Sequence, residues 1–397
     1  MPITVEFLDS LTAPPLKEVI SIATNPFRKT KVGVWELTTE ISPVDLYCYL
    51  GARFGLPNGL QNILRKNHSD NLIHWEWWLQ GPDCDISIMG LNFRTELRIT
   101  GDLALEDEAG FDLAKLIKAD FSRHGSQMAE QRKSLELWTE FVNPYARLRR
   151  SINTLHNELI KLDLKPETDE LPNIMDAEEY SAETWESVAS KYSQGLGICF
   201  GIRSMLPVMA EAYVNLLLFV LMRPELKKDT RLKENTIRQP IDVRIKSLKV
   251  TCIGFEKNPD YSSDACKAYH RLVNERNDLL HGNVVTDKLK FNEVHFKGTV
   301  PIFKEYRSLW ERSIGVEIGA VGLHRLQEEV KTVDNLIAYL NSCLDEKTRQ
   351  NIEYMARKRE LGINQANSRI GVLFSDHIAD FRADFEGTRL PLKRLRK

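Results

Sequence analysis

Arg276-Asn277-Asp278-Leu279-Leu280-His281 sets a permanent cation and a titratable imidazole five residues apart, with Gly282 directly behind. Histidine exchanges a proton near neutral pH, so it can act on a ribose 2′-hydroxyl or on a leaving oxygen. Arginine keeps its charge, and its planar fork matches a phosphate that gains charge in the transition state. Together they suit cleavage of an RNA phosphodiester, chemistry that requires no metal. Asn277 precedes His281 by four, so on a helix the two share a face. Arg276 lies about 100° round from Asn277 by the helical period.

An amphipathic helix has to present these groups. Ser263 or Asp264 suits its N-cap, and Cys266, Tyr269, Leu272, Val273, Leu279 and Leu280 recur near helical spacing as far as Gly282, where a C′ glycine belongs. Arg276, Asn277 and His281 then form a polar arc at the end of an otherwise apolar helix. Further upstream, Met205 to Met222 is an apolar run broken in its middle by Glu211 and Asn215, four apart and on one helical face. The run reaches the short end of membrane-spanning length. A carboxylate at a bilayer centre is expensive, which makes a buried helix the better reading and argues against a membrane. Buried polar groups need partners, so Glu211 and Asn215 have to face something polar.

Arg276 and His281, with Asn277 directly after the arginine, resemble the signature of the HEPN superfamily: Arg, four to six residues, then His, with Asn, Asp or His favoured after Arg. Arg150-Ser151-Ile152-Asn153-Thr154-Leu155-His156 fits the bare spacing too, but sits inside a longer charged helix with no helix stop behind it. The resemblance implies a metal-independent endoribonuclease without cofactors. His281 would act on the 2′-hydroxyl or the leaving group, Arg276 would stabilise the phosphorane-like charge, and Asn277 would position the pair. Glu211, with Asn215, would complete the site by holding Arg276 or orienting His281. The products would carry a 2′,3′-cyclic phosphate. Family members work as dimers, with motif helices of both subunits lining one cleft, and many prokaryotic relatives are toxins or abortive-infection effectors against phage. The implied partners are therefore RNA, a second copy of the chain, and an antitoxin or phage-derived trigger. Behind Gly282, Lys288, Lys290 and Lys297 add cations that could touch phosphates alongside Asn215. The other reading of the same resemblance is a non-catalytic HEPN module that binds nucleotides or RNA, or scaffolds a partner.

The rest of the 397-residue chain bounds these expectations. A net charge of -2 excludes a polycation that coats nucleic acid, so any RNA contact is a local patch. Six scattered cysteines without a CxxC pair point to a reducing cytoplasm and away from zinc or a disulfide framework. Met-Pro-Ile-Thr-Val-Glu shows no basic region followed by an apolar run, hence no visible signal peptide.

The fold class reads as α+β, mainly α. Residues 1–110 form a β-rich domain, with strands expected at Ile3–Leu8, Lys31–Leu37, Leu72–Leu79, Asp85–Met89 and Arg94–Thr100, and one helix at Pro43–Phe54 capped by Ser42. Trp75, Trp77 and Trp78 are either an aromatic platform for bases in a sensor domain or, more simply, sheet core. Residues 111–164 read as a helical connector: a helix over Phe111–His124, then a longer one over Gln127–Leu162, bent or broken at Asn143-Pro144. Residues 165–199 are an acidic linker with a short helix near Ala182–Tyr192, followed by a glycine-rich stretch, Gly195 to Gly201, read as loop flexibility or close packing. Residues 200–345 are the HEPN-like helical domain, closed by an amphipathic helix over Gly315–Leu344, and 346–397 are a basic tail.

Overall fold

The computed structural model describes residues 3–24, 32–37, 41–59, 73–91, 94–106, 108–169, 182–281, 293–303, 306, 310–373 and 393–394. The chain divides into two compact units, Met1–Glu140 with Gly362–Lys397, and Phe141–Leu361. The mainly helical α+β class expected from the sequence is what forms, with a sheet in the N-terminal region and helices beyond it.

In the first unit, helices α1 (Val5–Ser10), α2 (Leu16–Ala23) and α3 (Pro43–Phe54) accompany strands β1 (Val32–Glu36), β2 (Ile73–Gln80), β3 (Cys84–Leu91) and β4 (Thr95–Gly101). The strands pair antiparallel in the order β1-β4-β3-β2, and a short parallel strand, Lys393–Arg394, edges β1. Alternation at period two lays Trp35, Trp77, Leu79, Ile86, Ile88, Leu97 and Ile99 on one face, where they form a core with Tyr49 and Leu50 of α3. Leu113 and Ile117 of α4 (Ala109–Lys133) join the same core. Trp77 is fully buried and meets Trp75 edge-on at 5.8 Å, so these rings are sheet core rather than an exposed platform.

Two elements differ from the expected ones. In place of a strand over Ile3–Leu8, helix α1 forms over Val5–Ser10: Thr4 caps it by accepting the Phe7 amide, and Ile3, Phe7 and Leu8, spaced four and one apart, all reach the core. Six residues satisfy an alternating and a helical pattern equally well, and the cap decides. The supposed connector is not one body. The helix begun at Phe111 runs on to Lys133, then the chain extends as β5 (Trp138–Val142), and α5 (Pro144–Lys161) starts afresh. Of the bend or break expected at Asn143-Pro144, the break is what forms: the pair begins a new helix, because the Asn143 side chain accepts the amides of Tyr145 and Ala146 and proline fits the first turn.

The second unit is built on one helix, α6 (Ala182–Leu221), 40 residues without interruption. The expected boundary at 199/200 therefore disappears, and the Gly195–Gly201 stretch is helical rather than a loop. Close packing accounts for Gly195 alone: a Cβ there would lie 2.5 Å from Leu164 Cδ1, while Gly197 and Gly201 face open space. By length and composition α6 could cross a membrane, yet Leu206, Met209, Tyr213, Val214, Leu217 and Leu218 are buried against neighbours. After α7 (Pro224–Lys228) and α8 (Thr230–Arg238) come α9 (Ile241–Thr251) and α10 (Asp264–His281). The hairpin β6 (Val294–Lys297) and β7 (Val300–Phe303) follows. The closing helix is not continuous either. α11 (Val316–Val321) ends at Gly322 in a left-handed conformation (φ 73°), and α12 (Leu326–Ser342) restarts beyond it. α13 (Glu346–Ala356) then gives helix to the start of the expected tail. Helices α5, α9, α10, α11, α12 and α13 all pack on α6.

Candidate active site

Three polar side chains and one proline, whose backbone carbonyl is an acceptor, recur every four positions on α6: Arg203, Pro207, Glu211, Asn215. Successive members turn by only about 40°, so the row stays on one side of the helix, toward α9, α10 and α12. Arg203 is 5% exposed and grips Glu329 of α12 with Nε at 2.7 Å and Nη2 at 2.6 Å. Its Nη2 also reaches Glu275 of α10, which Arg325 holds as well. The Pro207 carbonyl accepts the hydroxyl of Tyr269 at 3.2 Å. Glu211 and Asn215 both accept from Arg244 of α9, the carboxylate from Nη2 and the amide oxygen from Nη1.

The resemblance implies Arg276 or His281 as the partner of Glu211, and the plainer alternative is a nearby backbone group or Arg203. The structure gives it Arg244 instead. The local pattern explains the choice: Ile241, Arg244, Ile245 and Leu248 fall on one face of α9, so Arg244 occupies an apolar register and is carried inward, 5% exposed. Its charge is tolerable there only beside Glu211 and Asn215.

On α10, Ser263 caps the start by accepting the Cys266 amide, and Cys266, Tyr269 and Leu272 are buried as the periodicity requires. Arg276 follows Tyr269 by two turns and so points the same way, inward. Its Nε is buried without an acceptor. Arg149, Arg203, Arg244 and Arg325 each hold a carboxylate, whereas Arg276 has none among the described residues. Burial pushes the Tyr269 phenol above its ordinary value. Glu211 and Tyr261 push the same way, and Arg244 and Arg276 oppose them, so both guanidiniums and the carboxylate act on one buried hydroxyl.

His281 ends α10 and is exposed, while Asn277 is half-buried one turn earlier. His281 lies about 140° round from Arg276 by the helical period. One chain therefore presents its guanidinium and its imidazole from different sides of the helix end. Lys288 and Lys290 lie outside the described residues. Lys297 stands exposed on β6, in a hairpin whose eight strand residues are all exposed. The second Arg-to-His spacing, Arg150 to His156, sits on α5 within continuing helix, as its charged surroundings indicated. Among the described residues no three His, Cys, Asp or Glu side chains gather as metal ligands would.

No family model, curated protein or solved structure matches the chain. The site therefore rests on its own geometry. Sequence reasoning placed Arg276, Asn277 and His281 on one helix end and Glu211 with Asn215 on one helix face. It missed Arg244 and Glu329, and weighed Arg203 only as a partner for Glu211. The signal was available in the two arginines: an arginine set into the 241-245-248 apolar face, and an arginine three residues before Leu206 and four after Cys199, both buried.

Proposed function

We propose that the chain is a metal-independent endoribonuclease of HEPN type that acts as a homodimer. Arg276 takes the scissile phosphate. His281 of one copy removes the proton of the 2′-hydroxyl, the 2′-oxygen attacks phosphorus, and the bond to the 5′-oxygen breaks. The partner's copy of the imidazole returns a proton to that leaving oxygen. The products are a 2′,3′-cyclic phosphate and a free 5′-hydroxyl. Asn277 orients the pair. Glu211 is left out of this chemistry because its carboxylate is engaged by Arg244. By the same resemblance the biological setting is a cytoplasmic toxin or anti-phage effector, released by loss of an antitoxin or by a phage-derived trigger.

The observation that carries this reading is Arg276, an inward-facing arginine with a buried, unaccepted Nε and no carboxylate partner among the described residues. A guanidinium so placed needs an anion to complete it. The exposed imidazole at the end of the same helix can reach solvent-borne substrate.

Purified protein should cut total RNA in buffer containing a chelator of divalent metals. His281→Ala should abolish the cutting, and Arg276→Lys should slow it by roughly 10²-fold, the usual loss for one transition-state charge donor. The His281→Ala melting temperature should not move, since the residue is exposed. Cutting that survives His281→Ala, or that needs magnesium, overturns the proposal. Retention of RNA without any cutting is the outcome that belongs to a binding module.

A further inference from the structure

Arg203 of α6 and Arg325, in the single turn Leu323–Arg325 between α11 and α12, reach one point from two elements. The point is Gly322: a Cβ there would lie 2.6 Å from Arg203 Nη1 and 3.0 Å from Arg325 Nη2. A glycine at φ 73° permits the left-handed turn and leaves the room that the two guanidiniums take. Like charges gathered so closely need anions. Two carboxylates supply them, and they are held unequally. Glu329 is 10% exposed, and both of its oxygens accept from Arg203, at 2.6 and 2.7 Å. Glu275 is 43% exposed, and its Oε2 takes both arginines, Arg325 Nη1 at 2.9 Å and Arg203 Nη2 at 3.3 Å. The Nε of Arg325 is buried without an acceptor, so the edge that pairs Nε with Nη2 is not spent on Glu275.

We infer that Arg325 and Arg203 form a phosphate subsite in which Glu275 is a resident carboxylate that an incoming phosphate displaces. A phosphate offers an oxygen pair to the unspent edge of Arg325 and a further oxygen to Arg203, which a carboxylate held through one oxygen does not match. Glu275 already reaches water, so its release costs little, whereas releasing Glu329 would leave a buried charge unpaired. Glu275 directly precedes Arg276, so the subsite adjoins the proposed active site along α10. Its use for the RNA phosphate next to the scissile one rests on the proposed function. Phosphate binding itself does not.

The consequence for mutation is opposite to that of an ordinary ion pair. A resident anion competes with every phosphate that arrives, so removing its charge has to strengthen phosphate binding. A Glu275 that only braces the two arginines predicts no gain, because no ligand waits for its place.

The experiment titrates inorganic phosphate into the full chain by calorimetry, with ionic strength held constant by chloride. Location is read with ¹⁵N-labelled arginine from the Nε–H resonance of Arg325, assigned by its disappearance in Arg325→Lys. In wild type that resonance should shift with phosphate. Glu275→Gln, of equal length and uncharged, should bind about fivefold more tightly, the worth of a half-exposed ion pair that phosphate no longer has to break. Arg325→Gln should bind at least about tenfold more weakly, having lost a charge-assisted fork. Both side chains are more than 40% exposed, at 43% and 42%, so both variants should fold. If Glu275→Gln does not, Glu275→Asp carries the comparison, because the shorter carboxylate competes less. Affinity that is unchanged or lower without the Glu275 charge, or phosphate binding that leaves the Arg325 resonance still, overturns the inference. A second arm uses a 2′-O-methylated RNA oligonucleotide, which lacks the hydroxyl that the cleavage consumes. A response at Arg325 to this oligonucleotide assigns the subsite to a backbone phosphate. A response to inorganic phosphate alone upholds the subsite and assigns it to a free or terminal phosphate. RNA cutting is scored in parallel. The Glu275→Gln gain in a protein that never cuts RNA sinks the nuclease and leaves the subsite standing. Cutting without any phosphate response at Arg325 does the reverse.

Discussion

Arg203 is the residue whose removal should cost the most. Its guanidinium is nearly sealed from water, holds Glu329 through two nitrogens, and reaches Glu275 and the Val321 carbonyl besides. Burial works to lower its pKa, and the Glu329 contact overcomes that and raises it. Arg203→Met should lower stability by about 3–5 kcal/mol in urea unfolding, because Glu329 is left buried and unpaired. Arg203→Met with Glu329→Met should recover much of it, since a buried ion pair replaced by apolar side chains is often close to neutral. A single variant within 1 kcal/mol of wild type would show that Glu329 finds another donor (about 1 kcal/mol being ordinary for a point mutation). At this scale the candidate site was half legible. Arg276 and His281 announce themselves by residue type. Their partners do not, because the contacts of Glu211 with Arg244 and of Arg203 with Glu329 span 33 and 126 positions of chain. Local periodicity says only that Glu211 must have a donor, and three arginines were available to supply it.

Elements were more legible where one pattern excludes the other. β2, β3 and β4 have seven or eight residues of alternation bounded by turns, enough to rule out a helix. α1 has six, and a single capping threonine decides it. The glycines of α6 misled for a physical reason: three glycines within seven residues lower helix propensity, and only tertiary packing of the flanking apolar turns keeps the helix going. That account is open to measurement. Gly197→Ala and Gly201→Ala have open space for the methyl group and should each stabilise the protein by about 0.5–1 kcal/mol in urea unfolding. Gly195→Ala should gain less, because its Cβ meets Leu164. If both open-space variants lose stability, the stretch is not a plain helix.

The molecule as a whole keeps all six cysteines free and buried. Burial pushes the thiols of Cys84, Cys199 and Cys252 up to about 11, against an ordinary value of 9.0. A group whose proton is held more tightly in the fold favours the fold while it stays protonated. This contribution is complete below the ordinary value and disappears as pH rises from about 9 to about 11. The urea midpoint should therefore fall across that window, and Cys199→Ala with Cys252→Ala should flatten part of the fall. A midpoint that is level between pH 8 and 11 would contradict it. Native protein at pH 8 should also leave Ellman's reagent uncoloured until denaturant is added.

A 40-residue helix rises about 60 Å along its axis, with Pro207 in its interior. Six other helices pack against it, and α10 packs on α12 as well. Such an arrangement cannot shed one member at a time. In deuterium-labelling experiments the amides around Met209 to Leu218 should be the last of the second unit to exchange, all at a common rate set by whole-unit opening. A protease that nicks this rod should release short peptides and no stable core.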